Sequence, residues 1–145
     1  MHMSILSRFI SIVFLSFFTF NITNAAQLVV KVESESRDGN IGCSVFSDSK
    51  GFPLDSSEAI QMFKTNYAKS VEFVFSDLKS GKYAVSVMND KNGNKILDRN
   101  FIGIPKEEWG VSNNIRPSMR PPTFDEAAFV IDEKEDYTIN IKIQK

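Results

Sequence analysis

The chain has 145 residues, with 17 Lys and Arg against 18 Asp and Glu, one cysteine and one histidine. A net charge of −1 supplies no basic face of the kind nucleic-acid binding needs, and the lone Cys43 excludes an intramolecular disulfide. The histidine is His2, so beyond the N-terminus there is no imidazole for a Ser-His or Cys-His pair, a general base, or the usual zinc, copper and iron ligand sets.

Arg8 precedes the apolar run Phe9 to Phe20, which passes through Asn21 to Asn24 into Ala25 and Ala26. That is the three-part layout of a secretory signal peptide. The run is too short for a bilayer span, which needs ~20 residues, and no later segment is comparably apolar. Residues 1–26 are therefore expected to be a leader, cut after Ala25 or Ala26, and 27–145 a single domain, periplasmic or secreted, with no transmembrane segment. Because Arg8 leaves with the leader, the remainder carries a net charge of about −2.

From there the dominant hydrophobic period is two. Leu28, Val30 and Val32 alternate with Val29, Lys31 and Glu33, as in a half-buried strand. After the turn Asp38-Gly39-Asn40, a second strand carries Ile41, Cys43 and Val45 on one face and Gly42, Ser44 and Phe46 on the other, which points the thiol into the core as an inert group. Asp55 followed by Glu58 has the layout of a capping box, predicting one short helix with Ala59, Ile60 and Phe63 as its apolar stripe. A weaker strand lies near Asn66. Val71, Phe73 and Phe75 form another, and the turn Lys79-Ser80-Gly81 joins it to Lys82–Met88 as a hairpin. Ala127–Ile131 and Tyr137–Ile143 read as a second antiparallel pair around the solvated acidic turn Asp132–Asp136.

About seven short strands predict an all-β fold, a single antiparallel β-sandwich of immunoglobulin-like or transthyretin-like type with one short helix. The interval from Asp90 to Thr123 shows no strand. Its content of Phe101, Ile102, Ile104, Trp109 and Val111 is too apolar for disorder, and predicts a long ordered loop packed on the sandwich.

The loop opens with Asp90, Asn92, Asn94 and Asp98 at relative positions 1, 3, 5 and 9, with Ile96 placed to offer a carbonyl at 7, the oxygen-donor spacing of a calcium loop. Against an EF-hand stand Lys95, where glycine makes the sharp turn, and Phe101, where a bidentate glutamate belongs. With two local carboxylates, Ca²⁺ affinity is expected at the weak extracellular end. The same residues also serve as an ion-free turn, because Asn and Asp side chains bond nearby backbone groups and Asn92-Gly93 is a strong turn signal.

The segments NIGCSVFSDSKGFP, LKSGKYAVSVMNDKNGNKILDRNFIGIPKEEWGVSNN and PPTFDEAAF together resemble a family of exported bacterial proteins catalogued as domain of unknown function 2141. Asp90, Asn92, Gly93, Asn94 and Asp98 match its Asp-x-Asn-Gly-Asn run; Asn100, Phe101, Gly103, Ile104 and Pro105 match the segment after it. Gly110, Ser112, Asn113 and Asn114 match its Gly-Phe-Ser-Asn-Asn element, while Lys95 and Val111 depart from the pattern. The resemblance implies a single-domain secreted or periplasmic β-sandwich with no assigned activity.

Two functional readings follow. In the first, a non-catalytic envelope module binds a glycan or protein through Phe101, Trp109, Asn113, Asn114, Arg116 and Arg120, an apolar surface rimmed by hydrogen-bond donors. Trp109 has a second use as a plug between loop and sheet. In the alternative, a small carboxylate hydrolase or inhibitor-like protein brings Asp90, Asp98, Glu107, Glu108 and Asp125 together in a cleft.

Overall fold

The computed structural model describes residues 26–36, 38–66 and 68–145. The expected leader up to Ala25 lies outside the described residues; Ala26 is already part of the core, 2% exposed. Eight strands are formed among the described residues: β1 (Leu28–Ser34), β2 (Asn40–Phe46), β3 (Gln61–Asn66), β4 (Ser70–Phe75), β5 (Gly81–Asn89), β6 (Trp109–Val111), β7 (Phe129–Ile131) and β8 (Tyr137–Ile143). One helical turn, α1, spans Phe124–Ala127. No helix among the described residues is long and apolar enough to cross a membrane.

Two sheets face each other, one ordered β4-β1-β8 and the other β3-β2-β5-β6, with β7 pairing the start of β5. The alternation in β1 does what its period requires: Leu28, Val30 and Val32 are fully buried while Lys31 and Glu33 face solvent. They meet Ile41, Cys43 and Val45 from β2 and Val85 and Val87 from β5 in one core between the sheets. Full burial pushes the Cys43 thiol well above its ordinary pKa, so it stays neutral and unreactive.

The second sheet is covered on its outer face as well. Phe46, Ala84, Met88, Leu97, Trp109, Val111, Phe124 and Ala127 form a second cluster there, with Phe52, Leu54 and Ile115 packed against it. Burial on both faces explains why β5 is apolar at successive positions rather than alternate ones.

Several sequence expectations are corrected. The stretch expected to be helical after Asp55 is one 3-10 turn, Ser56–Glu58, in which Asp55 accepts from Ser57 N–H. It then runs into β3, where Phe63 pairs with Cys43. Ile60 and Phe63 are each 48% exposed, and Phe63 leans on Phe75 of the other sheet with ring centroids 5.0 Å apart. β4 and β5 do not form a hairpin: β4 pairs with β1 and β5 with β2. Nor do β7 and β8 pair; β7 joins β5 and β8 lies parallel to β1, so the sandwich is not wholly antiparallel. The interval expected to lack strands contains β6, whose Trp109 exchanges two backbone hydrogen bonds with Gln144, at 3.1 and 3.2 Å. That bridge ties the two sheets together along one side.

Candidate functional site

The segment from Asp90 to Glu108 leaves the sandwich at the end of β5 and returns at β6. Asp90 is 5% exposed. Its Oδ1 accepts N–H bonds from Gly93 at 2.7 Å and Asn94 at 3.2 Å, and its Oδ2 accepts from Lys95 at 3.0 Å. Lys95 thereby takes the left-handed conformation, φ 64°, that glycine supplies more readily. Asn92 Oδ1 accepts from Asn94 N–H at 3.1 Å, and Asn94 Oδ1 accepts from Ile96 N–H at 2.9 Å. Both asparagine amides donate to Asp98, at 2.6 Å from Asn92 and 3.2 Å from Asn94.

Every side-chain oxygen of Asp90, Asn92, Asn94 and Asp98 thus accepts a hydrogen bond within the chain. Ile96 is 49% exposed and continues into an isolated bridge with Asp55. Among the described residues no group of three or more His, Cys, Asp or Glu side chains is placed to hold a metal. As arranged, the side chains of Asp90, Asn92, Asn94 and Asp98 form an Asx-stabilised turn.

Glu107, 4% exposed, fastens the base of the excursion by accepting from Lys91 N–H at 2.9 Å and Asp98 N–H at 3.2 Å. Glu108 lies beside it on different partners: its Oε2 accepts from Ser34 Oγ at 3.2 Å and Asn89 Nδ2 at 3.4 Å. Asp125 is elsewhere, paired with Lys82 at 2.6 Å. Lys82 is the second residue of β5 and Asp90 follows its end, so roughly 26 Å of extended strand separates them at ~3.3 Å per residue. The five acids of the hydrolase reading do not share one cleft.

The surface expected around Trp109 is also divided. Trp109 is 7% exposed, with the Arg116 guanidinium 4.2 Å over its ring. Arg116 donates to the carbonyls of Trp109 and Gln144 at 2.7 and 2.6 Å, across the bridge that joins the sheets. Asn113 and Asn114 adopt left-handed φ values of 63° and 50°. Asn113 Nδ2 donates to the Glu126 and Ala128 carbonyls. The Asn114 side chain donates to Asn140 O and accepts from Lys142 N–H, imitating a strand partner along the edge of β8. Arg120 makes a two-pronged pair with Glu126 at 2.6 and 2.8 Å. Asn113, Asn114 and Arg116 stitch the covering layer to the sheets, Arg120 braces that layer internally, and Trp109 is a buried plug. Of the six residues assigned to a partner surface, Phe101 alone remains as a bare apolar group.

Phe101 stands at the tip of a small hairpin that the sequence reading did not resolve. Arg99 bridges Pro105, Lys106 N–H donates to Asp98 O at 2.8 Å, and Asn100 N–H donates to Ile104 O at 2.8 Å. Asn100 Oδ1 then accepts from Ile102 and Ile104 N–H at 3.1 and 2.9 Å, and Gly103 N–H closes the turn on Asn100 O at 3.0 Å. Gly103 sits at φ 86° with open space around it, so backbone conformation is what requires glycine there. Phe101 is 99%, Ile102 64% and Ile104 55% exposed. Of the apolar residues expected to pack on the sandwich, Trp109 and Val111 do, and these three do not. The available signal was Asn100 followed three residues later by Gly103, first and last positions of a tight turn.

Two shallow clefts open away from the hairpin. One of about 370 Å³ is lined by Glu33, Ser34, Glu35, Lys69, Ser70 and Lys142; the other, about 260 Å³, lies beside Asn114 and Arg116.

No curated protein matches the chain, and no solved structure does. A family model does match, over residues 30–140, spanning β1 to β8 and including the whole excursion, and the chain therefore belongs to the family described as uncharacterized protein conserved in bacteria (DUF2141).

Proposed function

We propose that this protein is an exported, non-catalytic β-sandwich module that acts by presenting the Asp98–Lys106 hairpin to a partner surface in the cell envelope. The carrying observation is the set Phe101, Ile102 and Ile104, exposed side by side on a turn whose backbone is held by Asn100. Contiguous exposed apolar groups on a soluble domain mark interaction sites. The layout of Arg8 to Ala26 supports export. Support for a non-catalytic role comes from the acids: Asp90 and Glu107 accept backbone N–H bonds at the hairpin's base, the Asp98 carboxylate accepts from the Asn92 and Asn94 amides, and Asp125 is tied to Lys82. Carboxylate-based glycoside hydrolysis uses two such groups flanking one bond.

Placing a photo-crosslinking residue at position 101, and in a parallel strain at the exposed position 72 of β4, tests the docking role in cells exporting the protein. Adducts are expected from position 101 and not from 72. Equal labelling at both positions, or none at 101, refutes it.

A further inference from the structure

We propose that the surface met by the hairpin is an anionic lipid bilayer, into whose interface the tip inserts; this rests on the docking role proposed above. The charges of the excursion are sorted by direction. Its acids are withdrawn: Asp90, Glu107 and Glu108 are buried, and Asp98 is half-buried with both carboxylate oxygens on Asn92 and Asn94. The neighbouring Asp55, bridged to Ile96, turns its carboxylate onto Ser57. Its cations point outward: Lys91, Lys95, Arg99 and Lys106 are all exposed. Of these Lys91 is paired with Asp38 at 2.8 Å, leaving Lys95, Arg99 and Lys106 outside any ion pair among the described residues. An acidic protein thus presents, at this one excursion, apolar side chains ringed by cations, the combination that binds the interface of anionic membranes.

Three of the four backbone donors from Phe101 to Ile104 are satisfied within the tip. An unsatisfied N–H entering the bilayer is costly, and the donors of Ile102, Gly103 and Ile104 are already bonded to Asn100. Phe101 and Ile102 lead, as the side chains that would enter between headgroups. Arg99 and Lys106 stand on the two arms behind them, where long basic side chains reach lipid phosphates while their stems stay apolar.

The test is flotation with vesicles of phosphatidylcholine alone and of phosphatidylcholine mixed with phosphatidylglycerol. It uses the exported protein with the same N-terminus in every arm. The wild type is expected to bind the anionic vesicles and to be released by salt. Phe101→Ser with Ile102→Ser should lower partitioning at least tenfold. Arg99→Ser with Lys106→Ser should lower it roughly fivefold for each charge removed, on anionic vesicles only. Unchanged melting temperatures in both double variants establish that the fold is intact. Absence of wild-type binding to anionic vesicles, or binding that neither pair of substitutions alters, overturns the lipid assignment. Protein or glycan adducts that still form at position 101 after such a result would leave the docking role standing and remove the bilayer alone; loss of both removes both.

Discussion

Trp109→Ala separates a packing role from a ligand-binding one at the chain's only tryptophan. The indole lies against Leu97, Met88 and the rest of the outer cluster, 7% exposed, beneath the Arg116 guanidinium. Truncating a buried aromatic to alanine costs about 3–5 kcal/mol through lost transfer energy and a residual cavity, and unstacking Arg116 adds about 0.5–1 kcal/mol. Against the 5–15 kcal/mol that holds a typical domain folded, that is a large fraction. At roughly 4 °C per kcal/mol for a domain of this size the melting temperature should fall by roughly 14–24 °C. Phe101→Ala is the control, since a side chain 99% exposed gives up almost no contact and should stay within about 0.5 kcal/mol of wild type. Thermal and urea unfolding followed by circular dichroism avoids reliance on the removed fluorophore, and an unchanged urea slope would show that the denatured state is not the cause. A Trp109→Ala melting temperature within about 3 °C of wild type would refute the plug assignment and return Trp109 to the list of surface groups.

Two further outcomes are expected. Millimolar calcium should leave the melting temperature unchanged, because the oxygens of Asp90, Asn92, Asn94 and Asp98 are already engaged; a rise of about 2 °C or more in a titration, abolished by Asp98→Asn, would show that the loop serves an ion after all. Glu126 is held at about 2, below its usual 4.5, chiefly by Arg120 and then by Thr123 N–H. A lowered carboxyl pKa contributes stability above the ordinary value and loses it as pH falls toward the folded one. Wild type should therefore melt higher than Glu126→Gln at pH 7, with the gap closing between pH 4.5 and about 2. A gap that does not change over that range would refute the ion-pair account.

What could be read from the sequence was set by how local the determining physics is. The alternation of Leu28, Val30 and Val32 is legible because one face of β1 is buried and the other wet. Cys43 followed from the same period. The misreadings occur where a distant partner decides. Asp55 and Glu58 do start a helical turn, but the six residues after Ile60 are held by their ladder with β2, and tertiary pairing overrides a local cap. β6 has three residues, too few for any period, and exists because Met88 on one side and Gln144 on the other supply its hydrogen bonds. Period also says nothing about pairing order. The turn at Lys79–Gly81 looked like a hairpin, yet Asp77 at φ 62° begins a crossing between sheets.

The same distinction explains why the excursion looked like a site for chemistry. Its carboxylates and amides are the conspicuous residues in a sequence, but Asp90 and Glu107 are buried, and their acceptors are matched to backbone N–H groups that would otherwise be unpaired. Asp90 serves three such groups and Glu107 two, which offsets the desolvation of two buried charges and fixes the hairpin on its base. Nothing in that arrangement requires the tip to be apolar. Asn100 holds the turn through backbone N–H bonds alone, so serine at positions 101, 102 and 104 would leave every one of those bonds in place. Folding stability therefore gives no reason for Phe101, Ile102 and Ile104 to stand in water together. On the docking role proposed above, the reason lies in what the tip meets, and the outward cations on either side of it set the charge that surface should carry.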